Sequence, residues 1–225
     1  MVKIGYRGAC GYEPENTLRS FNKALDLGVD MVEMDAHVCR SGEVVLIHDD
    51  TVDRTTDGHG HVADMTFVDL SRLDAGHGEK IPTLEQALDL IAGRVLVNIE
   101  LKGSAAVPAV VKAIKHFVED HHWTYDKFFV SSFNHYDLPE FRKLCPEVPT
   151  GAVLAGIPMG YSEFASQVGA QVVCQWVEFA TEQFVDDTHK HGLKLYVWTV
   201  NEHEDIGRMK SLGVDGIFSD FPDRI

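Results

Sequence analysis

Apolar residues fall along the chain in short runs, each closed by a glycine or a polar residue. The runs alternate with longer stretches whose apolar positions recur at helical spacing. VKIGY, MVEMDAHV, RVLVNIEL, KFFVSSF, TGAVLA, AQVVCQ, KLYVWTV and DGIFSD read as strands. TLRSFNKALDLG, TLEQALDLIAG, AVVKAIKHFVED, TEQFVDDTHKHG and EHEDIGRMKSLG read as amphipathic helices. Several of these helices end in a glycine (Gly28, Gly93, Gly192, Gly213), the residue that closes a helix in the left-handed conformation at least steric cost.

Strands and helices in alternation build a parallel sheet from βα units. About eight such units in 225 residues predict one domain, 1–225, folded as a (β/α)8 TIM barrel with its active site at the C-terminal ends of the strands. A doubly wound open sheet is the other architecture the pattern allows. LDLGVDMVEMD near the start and KSLGVDGIFSD near the end echo each other, as a repeated βα unit would. The stretch HDDTVDRTTDGHGHVADMTFVDLSRLDAGHGEKIPT breaks the rhythm, being long, polar and glycine-rich. Residues 49–80 are accordingly expected to form a small inserted segment over the barrel mouth, after the second strand.

Composition narrows the partners. Hydrophobic residues make up 44% of the chain and charged residues 24%, as in ordinary globular proteins. A formal net charge of −15 repels nucleic acid and anionic membrane surfaces, so neither is an expected partner. The N-terminal MVKIGYRG lacks a secretory apolar region, and nothing approaches the roughly 20 apolar residues of a spanning helix, which points to a cytoplasmic protein. Cys10, Cys39, Cys145 and Cys174 lie far apart without metal-binding spacing and read as reduced, mostly buried thiols.

The chemistry concentrates at strand ends. In MVEMDAHV, the period of two puts Glu33, Asp35 and His37 on one face and Met34, Ala36 and Val38 on the other. Carboxylates buried inside a barrel need a cation or an arginine beside them, whereas on an exposed strand edge they need only water. In VNIELKG, Glu100 and Lys102 again share a face. A third carboxylate makes an all-oxygen set suited to a hard cation such as Mg²⁺ or Ca²⁺, and Lys102 is placed to hold a phosphate oxygen. The other reading of that pair is an ion pair on the barrel rim. His48 follows four apolar residues at an expected strand end, where a histidine is either structural or a proton carrier near neutral pH. PENTL reads as a helix start with Pro14 early and Asn16 or Thr17 as the cap, the alternative for Asn16 being a contact to the site.

Together with Arg7, these residues carry a family resemblance. RGACGYEPENT, VEMDAHVCRSGEVVLIHDDTVDRTTDG and VNIELK resemble blocks of the glycerophosphodiester phosphodiesterase family, and IPTLEQAL, SSFNH, VWTVN and GVDGIFSDFP follow in the family's order. The resemblance covers nearly the whole chain. It implies a (β/α)8 barrel with a small inserted subdomain that hydrolyses glycerophosphodiesters, small-molecule substrates, to glycerol 3-phosphate and an alcohol with a divalent metal ion. By position it makes Glu33, Asp35 and Glu100 the metal ligands, Arg7 and Lys102 the phosphate contacts, and His48 one of two acid–base groups. These roles suit the reaction, because negative charge grows on the nonbridging oxygens during attack and cations stabilise it.

The sequence departs from the family at Tyr6, where the residue before the arginine is usually a histidine, the second acid–base group. Three accounts are open. The phenol, with an ordinary pKa of about 10, serves as an acid only. Alternatively, His37 supplies the missing imidazole. Or the chain binds a phosphodiester without cleaving it, in place of hydrolysis. A further reading keeps the barrel and has a substrate hydroxyl attack phosphorus, as in a phospholipase-D-like enzyme that releases a cyclic phosphate. Phe133 and Trp198, at strand ends, are expected to line a pocket for the glycerol or the leaving alcohol, with core packing as the alternative for Trp198. His59, His61, His121, His122, His189 and His191 are expected on loops and helix surfaces. The patterns carry no signal for the leaving alcohol or the oligomeric state.

Overall fold

The computed structural model describes residues 1–225. In chain order the elements are β1 (Val2–Gly5), α1 (Leu18–Asp26), β2 (Met31–Val38), β3 (Val44–Leu46), α2 (Phe67–Leu70), α3 (Leu84–Ile91), β4 (Leu96–Leu101) and α4 (Ala106–Asp120). They continue with β5 (Phe128–Ser132), α5 (Asp137–Leu144), β6 (Thr150–Leu154), α6 (Glu163–Gln167), β7 (Val172–Trp176), α7 (Glu182–Lys190), β8 (Lys194–Trp198), α8 (His203–Leu212) and β9 (Gly216–Ser219).

Eight of these strands are parallel and run β1-β9-β8-β7-β6-β5-β4-β2 around a barrel that a β1–β2 pairing closes. The chain thus forms a (β/α)8 barrel and not an open sheet. β3 lies outside the ring, antiparallel to the end of β2. Every run read as a strand is a barrel strand, and the five amphipathic segments are α1, α3, α4, α7 and α8. Their closing glycines Gly28, Gly93, Gly192 and Gly213 have φ of 69°, 66°, 71° and 78°. Helix starts are fixed by side chains: Thr17 caps α1 by accepting from Ser20 N–H, and Thr83 with Gln86 forms a capping box on α3. The short helices α2, α5 and α6 lack the apolar repeat that betrays a helix. α5 also carries Pro139, tolerated because it sits in the first turn.

Alternation sorts side chains into two apolar layers. Val32, Met34, Ala36, Val97, Ile99 and Leu101 point outward and pack against Phe21, Leu84, Leu88, Ile114 and Phe117 of the helices. Ile4, Met31, Phe129, Val172, Tyr196 and Phe218 fill the interior. Gly216 makes room there, since a Cβ would stand 2.7 Å from the Tyr196 ring, and Gly151 does the same for Phe129. Each buried Leu, Ile or Phe contributes about 1.5–3 kcal/mol, so the helix layer carries much of the stability and leaves the upper barrel free for polar residues. The segment between β2 and α3 packs around a small core of its own, with Cys39, Val45, Ile47, Val52, Val62, Leu70, Ala75 and Ile81. No helix is long and apolar enough to cross a membrane.

Candidate active site

Strand alternation brings the acidic residues to one place. β2 and β4 are in register with Asp35 opposite Glu100 and Glu33 opposite Asn98, so side chains from both strands meet inside the barrel. Glu33, Asp35 and Glu100 are buried, and they offer oxygens that all lie within 4.8 Å of one another. Like charges about 4 Å apart repel by about 4 kcal/mol even at an effective dielectric of 20. Burial and the other two carboxylates therefore push Glu33 well above the ordinary carboxylate range, and burial and Asp35 push Glu100 up. Asp35 is different, because Lys102 and Arg7 outweigh its burial and hold it low.

Two cations face the three carboxylates. Lys102 Nζ stands 3.1 Å from Asp35 Oδ1 and also pairs with Glu100. Arg7 Nε is 3.3 Å from Asp35 Oδ2, Nη1 donates to Glu15 Oε1 at 2.9 Å, and Nη2 donates to the Tyr6 hydroxyl at 2.7 Å. The backbone turns sharply here, with Arg7 at φ 49° and Gly8 at φ 87°, where a Cβ would collide with Ser20. This turn aims the Arg7 N–H at Glu33 Oε2, 2.7 Å away. The other Glu33 oxygen, Oε1, is buried without a partner. An unpartnered carboxylate oxygen, in an all-oxygen set carrying more negative than positive charge, fits a hard divalent cation.

Tyr6 forms the wall beside this cluster. Burial, and next the charge of Glu33, raise its pKa far above that of a free phenol, so it keeps its proton. Its oxygen accepts from Arg7, which leaves its own O–H free to donate. Tyr6, Glu33, Asn98, Glu100, Ser131, Phe133, Cys174, Trp198 and Phe218 are among the residues that line a narrow cavity at the C-terminal end of the barrel. Phe133 packs edge-on against Trp198 at 5.5 Å, and Trp198 Nε1 donates to the Cys174 carbonyl at 3.0 Å, so Trp198 is both packed and lining. A larger space of about 690 Å³ opens at the opposite end, between Met31, Leu96, Phe129 and Tyr196, away from the carboxylates.

His48 follows β3, with Nδ1 2.6 Å from Asp49 Oδ1. Neither His48 nor His37, read as a possible replacement imidazole, is among the residues that line the cavity; His37 is buried, and its Nε2 lies 3.2 Å from the His48 carbonyl. Burial holds its pKa low, so His37 supports the His48 backbone. Asn16 is not the helix cap, a role Thr17 takes. Buried at φ 57°, Asn16 donates to Asp35 Oδ2 at 2.8 Å and accepts from Asp35 N–H at 3.1 Å. Of the remaining histidines, His59, His116, His121, His189 and His191 each pair with one acid, as His59 with Asp53 and His189 with Asp215.

Glu15, Asp49, Arg54, Asn98 and Ser131 were not singled out from sequence. Asn98 shares the face of Glu100 and accepts from Ser131 Oγ at 3.0 Å, a placement the period of two contains. Arg54 binds both Glu15 and Asp49 across distances in sequence that no local pattern carries.

Known proteins resemble this chain along nearly its whole length. The chain is 35% identical to a glycerophosphodiester phosphodiesterase of Caldanaerobacter subterraneus subsp. tengcongensis, covering 99% of this chain and 95% of that one. It is equally similar to one from Bacillus altitudinis, at 35% identity over 100% of this chain and 96% of the relative. Among solved structures, an Oleispira antarctica phosphodiesterase in complex with the product sn-glycerol-3-phosphate superposes with a TM-score of 0.92 at 32% identity, covering 99% of this chain and 94% of that one. The model of the glycerophosphoryl diester phosphodiesterase family matches residues 7–224, which takes in both the carboxylate cluster and the aromatic wall. With that match and those relatives, the chain belongs to the glycerophosphoryl diester phosphodiesterase family.

Proposed function

We propose that this chain hydrolyses glycerophosphodiesters to glycerol 3-phosphate and an alcohol at the C-terminal mouth of its barrel, using a divalent cation held by Glu33, Asp35 and Glu100. The observation that carries the reading is the buried triad with Glu33 Oε1 unpartnered. Such an ion, once bound, supplies positive charge against the charge that grows on the phosphate oxygens.

The chain's own residues do the rest. Asn16 grips Asp35 on both its amide oxygen and its amide nitrogen and fixes that carboxylate before substrate arrives. Arg7 presents a rigid fork to the phosphate and Lys102 a mobile point charge. Tyr6 replaces the usual histidine as a proton or hydrogen-bond donor; with its pKa raised by burial it does not act as a base. That leaves His48 as the proton acceptor, with Asp49 on its Nδ1. Phe133 and Trp198 pack against the carbon skeleton of the substrate.

The test is release of glycerol 3-phosphate from glycerophosphocholine and glycerophosphoethanolamine with each divalent cation in turn and with a chelator. Metal-dependent release that Glu33→Ala abolishes supports the reading. Binding without release would make the chain a noncatalytic glycerophosphodiester binder. A persistent cyclic phosphate by phosphorus NMR would replace hydrolysis with attack by a substrate hydroxyl.

A further inference from the structure

Arg54 belongs to the inserted segment, yet it donates four hydrogen bonds to carboxylates of the mouth. Nε and Nη2 reach Asp49 at 2.7 and 3.0 Å, and Nη1 and Nη2 reach Glu15 at 2.8 Å each. Both carboxylates pass the contact on. Asp49 Oδ1 is 2.6 Å from His48 Nδ1, and Glu15 Oε1 accepts from Arg7 Nη1 at 2.9 Å. A continuous ladder therefore runs His48, Asp49, Arg54, Glu15, Arg7, Tyr6. Arg54 is the rung where its two halves meet.

Stability does not explain such an arrangement. The Arg54 side chain is 48% exposed, and ion pairs in that setting contribute little, because water screens them and a long side chain loses rotamer freedom. What two bidentate forks do give is direction. A carboxylate only accepts, so Asp49 requires the proton on Nδ1 of His48 and leaves Nε2 as the free lone pair when the ring is neutral. Arg54 occupies both Asp49 oxygens and stops the carboxylate from swinging away. In the same way it holds Glu15 against the Arg7 guanidinium.

We propose that Arg54 is a positioning residue for the hydrolysis: from the inserted segment it locks the His48 tautomer through Asp49 and the Arg7 orientation through Glu15, tying acid–base group and phosphate contact into one rigid frame. This rests on the reaction proposed above. The insertion is on this view a working part of the site. Its removal or loosening slows the chemistry without emptying the cavity.

The experiment pairs kinetics with NMR of the ¹⁵N-labelled His48 ring in the metal-free protein. In Arg54→Gln the single Nδ1–H tautomer of His48 gives way to a mixture. kcat falls by roughly 10–100-fold, the range that outer partners of an oriented histidine typically command, while KM changes little. Arg54→Lys recovers only part of the loss, since an ammonium cannot fork onto two carboxylates. Arg54→Gln combined with Asp49→Asn costs little more than Arg54→Gln alone, because that variant has already lost the hold on His48 through Asp49. Asp53→Asn serves as the control for loop integrity: the Asp53 side chain holds Gly60 N–H at 2.9 Å and His59 within the insertion and makes no hydrogen bond to the ladder, so it leaves turnover unchanged. Should Arg54→Gln fail to fold, Glu15→Gln and Asp49→Asn, which keep side-chain shape, carry the same readouts. Wild-type kcat together with unchanged His48 ring resonances in Arg54→Gln would overturn the proposal. If the wild-type chain releases no glycerol 3-phosphate, it is the hydrolysis reading that fails, and the ring resonances still decide whether Arg54 sets the tautomer.

Discussion

The two halves of the barrel mouth are built by different physics. On the side of β1, β2 and β4, Tyr6, Arg7, Glu33, Asp35, Glu100 and Lys102 are charged or hydrogen-bonded groups, and Arg7, Asp35 and Lys102 are each held by more than one directional contact. On the side of β5, β7 and β8, Phe133, Trp176 and Trp198 meet ring to ring, at 5.5 Å for Phe133–Trp198 and 6.3 Å for Trp176–Trp198. A single hydrogen bond, from Trp198 to the Cys174 carbonyl, anchors that wall, and Phe133 is 48% exposed. Directional contacts fix atoms to a fraction of an ångström and fail when one partner is lost. Ring contacts are broad and degrade gradually. Under the proposed hydrolysis, the charged half sets rate and the aromatic half sets fit.

The sharpest way to break that contrast is Glu33→Ala. On the charged side it should lower turnover on the order of 10³-fold, the scale of losing preorganised charge stabilisation, measured as glycerol 3-phosphate release at saturating metal. The fold should survive, since one of three crowded like charges is gone; metal-free Glu33→Gln should melt no lower than wild type in calorimetry.

Tyr6 comes next. Tyr6→Phe removes the hydroxyl that Arg7 orients and should lower kcat roughly 10²-fold, the lower range for losing a general acid. Tyr6→His should raise it. A rate that does not rise, with metal binding intact in a titration, means the cavity is shaped around the phenol.

Trp198→Ala tests the other half. The aromatic contact is worth about 0.5–1.5 kcal/mol, so KM for glycerophosphocholine should rise by roughly tenfold or less while kcat holds. A collapse of kcat instead would show that the wall also orients the charged groups.

The smallest effect is on stability. Hydrogen bonds from Arg54 hold Asp49 below the usual carboxylate range, and Arg54 and Arg7 outweigh the burial of Glu15 to do the same there. A carboxyl group whose folded pKa is lowered stabilises the fold above its unfolded pKa and loses that contribution as pH falls through the folded value. Urea unfolding should therefore show Arg54→Gln less stable than wild type by about 0.5–1 kcal/mol at pH 7, with the gap closing as pH falls below about 4.

The same contrast governs what the sequence reveals. Carboxylates at period two are legible because strand geometry is local: once MVEMDAHV and VNIELK are strands, Glu33 and Asp35 share one face and Glu100 shares its face with Lys102, and the fold then turns those faces inward together. The eight barrel strands and five helices were readable for the same reason. α5 and α6 were not, being short and weakly patterned. Asn16 stays ambiguous in sequence, because Asn before an amphipathic run is also a good cap by composition, and only the fold places Asp35 beside it and so decides for the site contact. Arg54 was invisible because its partners lie 39 and 5 positions away and converge only when the insertion folds back.

The barrel closes through its last strand. β9 pairs with β1 from Val2↔Gly216 to Gly5↔Ser219, and the Tyr6 N–H reaches the Ser219 carbonyl at 3.0 Å. Every acidic, basic and imidazole group proposed for the chemistry lies at or before Lys102, so a nascent chain has made all of them well before it reaches β9. At roughly 5–20 residues per second, it then carries them for several seconds before strand β9 exists. Over that interval Tyr6 and Arg7 lack the neighbour that sets their strand. A chain that lacks β9 therefore holds every one of these groups without the strand that closes the barrel beside Tyr6.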